Sequence, residues 1–141
     1  MDSSEVDSHS MMLYQNRLTT FAGWPYTEQD GAKCTAENLA NAGFYRPHAE
    51  SEPDLARCFM CFKDLEGWEP EDIPEQEHSK RCPNCPFILQ RVKDVQNMQI
   101  ENFVRLCFQQ SMQQLQKECS DCVGEINKMK DSKFQELKLL K

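Results

Sequence analysis

CFMCFKDLEGWEPEDIPEQEHSKRCPNC, residues 58–85, decides how this chain is read. It carries Cys58, Cys61, His78, Cys82 and Cys85. All five are of the types that bind zinc, and a closed structural site takes four. Two sets compete. Cys58, Cys61, Cys82 and Cys85 form C-x2-C-x20-C-x2-C, close to an all-cysteine zinc ribbon. Cys58, Cys61, His78 and Cys85 form C-x2-C-x16-H-x6-C. Spacing alone leaves both open. Either set supplies four protein ligands and no open position for water or substrate, so the site reads as structural rather than hydrolytic.

Working outward, Pro74 stands at the first position of a short helix that would carry His78. Pro83 disfavours helical backbone at Cys82 and ends that helix. The stretch ARCFMCF around Cys58 reads as a strand running into a zinc knuckle. TAENLANAGF reads as a helix with Thr35 as N-cap and Gly43 just past its end. Residues 13–90 hold both Trp, all three Tyr, all seven Pro and four of the five Gly, a turn-rich composition that suits a small compact domain. A core of that size is marginal by itself, and a structural metal is a usual remedy.

The flanks differ. Residues 1–12 are polar and acidic and read as disordered; with no basic start and no apolar run they do not read as a signal peptide. A reducing compartment is expected, in which the eight cysteines are metal ligands or buried thiols rather than disulfides. The net charge of −7 argues against general nucleic-acid binding and suits a basic partner. Residues 94–141 contain no Pro and one Gly and read as a long helix. Phe108, Met112, Leu115, Cys119, Cys122, Ile126 and Met129 are spaced 4, 3, 4, 3, 4, 3, the seam of a coiled coil. We assign 91–107 to a linker and 108–141 to the coiled-coil helix. A seam this long outruns a domain of this size, so it requires partner helices. Cys119 and Cys122 lie on the seam and read as small core residues rather than a redox pair.

From Asp64 to Glu77 there are seven acidic residues and no basic one, interleaved with Leu65, Trp68 and Pro70. A charge run is usually a solvated face. Carboxylates beside an aromatic wall can also hold a cation, and capture of a free N-terminal amine is one such mode.

The segments RLTTFAGWP (17–25), LANAGFYRP (39–47), DLARCFMCF (54–62), LEGWEPED (65–72) and PEQEH (74–78) resemble a BIR domain, the baculoviral inhibitor-of-apoptosis repeat. The resemblance covers about residues 13–90. A single BIR followed by one long helix resembles the mitotic, single-BIR branch of that family. It implies an α+β fold: short helices around a three-stranded antiparallel sheet, then a long C-terminal α-helix. It implies one structural Zn2+ on Cys58, Cys61, His78 and Cys85, with Cys82 spare. It implies a non-enzymatic role; no nucleophile–base–orienter set is evident.

The resemblance also implies a groove for the N-terminus of the histone H3 tail, phosphorylated on threonine. Glu66, Asp72 and Glu77 would receive the amine, Leu65 and Trp68 the alanine methyl, and Lys63 and Arg81 the phosphate. Members of this branch usually have His at position 81; Arg is permanently charged and can bind phosphate bidentately. Ala36 follows Thr35 where those members have Pro, so a proline-directed kinase site is not expected. The long helix would bundle with borealin and inner centromere protein through Met112, Leu115, Cys122, Ile126 and Met129, carrying Aurora B kinase to centromeres. A homodimer of the free chain would use Met12, Leu13 and Tyr14 with Ile100, Phe103 and Leu106. Nucleus, centromere, spindle midzone and cytoplasm are the implied locations. The alternative the family offers is apoptosis inhibition, by binding Smac-type N-termini or restraining caspases.

Overall fold

The computed structural model describes residues 7–90, 95 and 97–140. The sheet has three short antiparallel strands in the order β1 (Phe44–Tyr45), β2 (Ala56–Cys58) and β3 (Asp64–Leu65). Phe44 faces Cys58, and Arg57 faces Asp64. That register makes a cross-strand ion pair: Arg57 Nε lies 2.6 Å from Asp64 Oδ1, and Nη2 lies 2.9 Å from Oδ2.

Around the sheet lie α1 (Tyr14–Thr19), α2 (Ala36–Asn41), α3 (Pro74–Arg81) and α4 (Pro86–Gln90). The sequence signals at their ends hold. Thr35 caps α2, its hydroxyl accepting the Asn38 N–H at 3.2 Å. Gly43 follows α2 at φ 92°, where a Cβ would stand 2.9 Å from the Phe87 ring. Only glycine meets both demands. Pro74 opens α3, and Cys82 ends it.

The core joins Phe44, Phe59, Leu39, Met60 and Trp68 with two methionines from the N-terminal segment, Met11 and Met12. Residues 7–12 are therefore not disordered, contrary to the sequence reading; residues 1–6 lie outside the described residues. The reason is Arg17. Its Nη1 donates to the carbonyls of Met11 and Met12, both at 2.8 Å, and its Nε donates to Ala40 O at 2.9 Å. Its guanidinium lies 4.7 Å from the Phe59 ring centroid. One buried side chain thus fixes the segment before α1 against α2.

The long helix, α5, runs from Ile100 to Leu139. It begins eight positions before the expected 108, so residues 100–107 of the expected linker are helix. Of the linker, residues 91–94 and 96 lie outside the described residues. At about 1.5 Å per residue, α5 is roughly 60 Å long. Only its first half touches the domain. Leu106 is 1% exposed and packs in the core, and Gln110 is 0% exposed. The Gln110 amide donates to Phe59 O and Ser8 O, both at 2.8 Å, and its carbonyl pairs with His9 Nδ1 at 2.9 Å. Lys117 reaches back to Phe62 O at 3.3 Å. Beyond it, residues 118–140 are exposed throughout. Among the described residues no helix is long and apolar enough to cross a membrane.

Candidate metal centre and peptide groove

Cys58 ends β2, and Cys61 follows on the tight turn that returns the chain to β3. The Cys58 Sγ accepts the N–H of Met60 at 3.3 Å and of Cys61 at 3.5 Å. Phe62 completes the turn at φ 57°, a left-handed conformation unusual for a bulky residue and stabilised by its N–H bond to Cys58 O. His78 projects from α3 and is wholly buried. Its Nδ1 lies 2.8 Å from Ala42 O. A carbonyl can only accept, so Nδ1 carries the proton and Nε2 keeps its lone pair for a metal. Cys85 arrives from the turn before α4.

The four ligand atoms of Cys58, Cys61, His78 and Cys85 all lie within 4.8 Å of one another. The separations fit zinc. Zn–S near 2.3 Å and Zn–N near 2.0–2.1 Å in a tetrahedron require S···S of about 3.8 Å and S···N of about 3.6 Å. Cys58 Sγ and Cys85 Sγ are 3.8 Å apart, and Cys61 Sγ and His78 Nε2 are 3.6 Å apart. The thiols are free rather than disulfide-bonded. Hydrogen bonds from Cys58 and Cys61, then from the backbone N–H groups of Ile88 and Phe87, hold the Cys85 thiol well below its ordinary value. Burial pushes Cys58 up. The thiols give up their protons as zinc binds. Cys82 stands outside the cluster, half-buried, so the all-cysteine set is not the one the fold assembles.

Residues 17–89 match the Inhibitor of Apoptosis domain, BIR. The chain belongs to the BIR family. Its BIR domain resembles that of baculoviral IAP repeat-containing protein 5.1-B of Xenopus laevis, 53% identical over 100 residues, 71% of this chain and 61% of that protein. The 5.1 protein of Xenopus tropicalis is 52% identical over the same shares. Baculoviral IAP repeat-containing protein 5 of Rattus norvegicus, a survivin, is 42% identical over 111 residues, 79% of this chain and 76% of that protein. The matched stretch thus spans 61% of the length of the Xenopus relatives. BIR domains bind zinc, and Cys58, Cys61, His78 and Cys85 are arranged as the single site that would hold one structural zinc ion.

Beside the metal centre, on the β3 side, lies a cavity of about 420 Å³. All seven groove residues expected from the sequence line it: Lys63, Leu65, Glu66, Trp68, Asp72, Glu77 and Arg81. Glu77 and Arg81 share one face of α3, four positions apart. Trp68 is buried, its ring edge-on to Phe44 at 5.4 Å, so it forms the base of the cavity rather than a free wall. Sequence reasoning missed what holds the cavity in shape. The Tyr26 hydroxyl donates to Trp68 O at 2.9 Å. Asp72 Oδ2 accepts the Glu69 N–H at 2.8 Å, and Asp54 accepts the Gly67 N–H, with Gly67 at φ 73°. Tyr26 is 42 positions from Trp68 and outside the quoted motifs, and Asp54, although it opens DLARCFMCF, gives no sign there of its bond to Gly67. Lys80 Nζ lies 2.6 Å from Glu77 Oε1, so one groove carboxylate is already paired on α3.

The residues assigned to dimer and partner contacts divide. Leu106 and Met12 are core, which removes them from the expected dimer surface. Leu13 is half-buried at the start of α1. Ile100, Phe103, Met112, Leu115, Ile126 and Met129 are exposed apolar residues on α5, and Cys122 is exposed with them.

Proposed function

We propose that this protein is a non-enzymatic adaptor of the chromosomal passenger complex. Its BIR groove reads the N-terminus of histone H3 phosphorylated on threonine. Its α5 bundles with borealin and inner centromere protein and so brings Aurora B kinase to centromeres. The observation that carries the reading is the composition of the 420 Å³ cavity. Glu66, Asp72 and Glu77 gather around an apolar base of Leu65 and Trp68, while Lys63 and Arg81 bring positive charge to the same cavity. An N-terminal amine seats among carboxylates, a methyl group seats on the apolar base, and a phosphate on the third residue meets Lys63 and Arg81. The exposed seam of α5 supports the second half, since apolar side chains at heptad spacing are stabilised by other helices. Nucleus, centromere, spindle midzone and cytoplasm follow as locations. Free chains pair through the N-terminal segment, Ile100 and Phe103.

Calorimetric titration of the zinc-loaded chain with three peptides tests the groove. They are the unmodified histone H3 tail, the same tail phosphorylated on threonine, and a Smac-type N-terminus. Tightest binding of the phosphorylated tail is the expected result. Tightest binding of the Smac-type peptide moves the function to apoptosis inhibition, and binding of none leaves α5 as the functional surface.

A further inference from the structure

A second cavity, of about 560 Å³, shares no lining residue with the peptide groove. Arg17 of α1, Asn41 at the end of α2, Ile73 and Pro74 at the start of α3, and Phe87 and Ile88 of α4 line it. Its size falls within the roughly 300–1,000 Å³ of small-molecule sites. Its distinguishing feature is the charge of Arg17. That residue is 4% exposed and, among the described residues, has no carboxylate partner. Nε and Nη1 are spent on the carbonyls of Ala40, Met11 and Met12. Among the described residues no hydrogen bond from Nη2 accompanies them. Arg17 lines this cavity, and Nη2 is the guanidinium nitrogen not used by those carbonyls.

Carbonyl dipoles satisfy N–H groups but do not cancel a full charge removed from water. Burial, the largest effect, lowers the Arg17 guanidinium to about 10, with Cys58 and Tyr14 opposing it only in part. We propose that this cavity is a binding site for a small amphipathic monocarboxylate. Its carboxylate meets Arg17 Nη2 and the exposed amide of Asn41, and its apolar body lies along Ile73, Pro74, Phe87 and Ile88. Guanidinium is the side chain best matched to a carboxylate. Lys33, also at the wall, is exposed and pairs with Glu71 at 3.2 Å, whereas Arg17 is the buried cation at the cavity. Glu75 lines the cavity too and disfavours a second negative charge, which selects monoanions over dianions.

The test is a titration of the zinc-loaded, 15N-labelled full chain with 4-phenylbutyrate and, separately, with 4-phenylbutanamide, the same body without the charge. The expected result is saturable shifts at the amides of Ala42, Phe87 and Ile88 and at the Arg17 side-chain N–H, with none at Gly67 or Asp72. The neutral amide binds about tenfold more weakly, the equivalent of one charge-assisted pair. Arg17→Ala would also release Met11 and Met12, so the informative variant is Asn41→Asp, an exposed change that places a negative charge at the cavity. It weakens 4-phenylbutyrate severalfold and does not weaken 4-phenylbutanamide to the same extent, so the preference for the charged compound shrinks. Equal binding of both compounds, shifts confined to the peptide groove, or no saturable shift at millimolar ligand would overturn the proposal.

Discussion

The two halves of α5 are one continuous helix with opposite surroundings. From Leu106 to Lys117 it is held by the core, by the Gln110 hydrogen bonds and by the reach of Lys117 to Phe62 O. From residue 118 onward every described side chain is exposed, including Ile126 and Met129, the latter at 72%. Both halves have heptad-spaced apolar residues, so hydrophobic pattern alone does not tell where a seam finds its partner. The domain offers a wall of limited extent, and whatever apolar surface lies beyond it is left for another chain.

That contrast can be broken first at the metal. His78→Ala removes a ligand and should cost the domain its zinc and its fold, since apparent zinc binding free energies in small zinc domains reach about 10–16 kcal/mol. Cys82→Ser should retain one zinc per chain. Metal analysis with thermal melting reads both. Zinc retained by His78→Ala and lost by Cys82→Ser would restore the all-cysteine set.

Within the helix the comparison sharpens to a pair of leucines. Leu106→Ala empties a fully buried site and should destabilise the zinc-loaded chain by about 2–5 kcal/mol in denaturant unfolding. Leu115→Ala, at a position 55% exposed, should lie within about 0.5 kcal/mol of the parent. Equal losses would mean that the free chain already covers its exposed seam at Leu115, as in a helix-paired dimer. A smaller effect is expected at the sheet. Arg57 and Asp64 are well aligned, but their side chains are 25% and 35% exposed, so Arg57→Ala should cost about 1 kcal/mol or less, screened further by salt.

Much of this was legible before the fold was seen, for local reasons. Thr35, Gly43 and Pro74 announce helix ends because capping chemistry is decided within a few residues. The groove residues were legible because β3, the following loop and α3 are close in sequence, so the resemblance to BIR domains places them together. What was hidden is long-range. Nothing in MDSSEVDSHSMM says that Met11 and Met12 are buried, because their anchor is Arg17 and the cavity they fill is built by α2, Phe59 and α5. Leu106 looked like surface for the same reason: its partner is the core of a domain that ends well before it. Gln110 shows no motif at all, and its three bonds reach Ser8, His9 and Phe59, from 51 to 102 positions away.

We hold that the groove and the exposed seam of α5 act as separable surfaces, and that is the central claim. It is tested most directly by calorimetric titration of the phosphorylated histone H3 tail into two zinc-loaded variants. Asp72→Asn keeps an oxygen for the Glu69 N–H while removing a groove charge, and Leu115→Glu disrupts only the seam. The expected result is that Asp72→Asn loses tail binding and Leu115→Glu binds as the parent chain does. Undiminished binding by Asp72→Asn, or lost binding by Leu115→Glu, would contradict the separation.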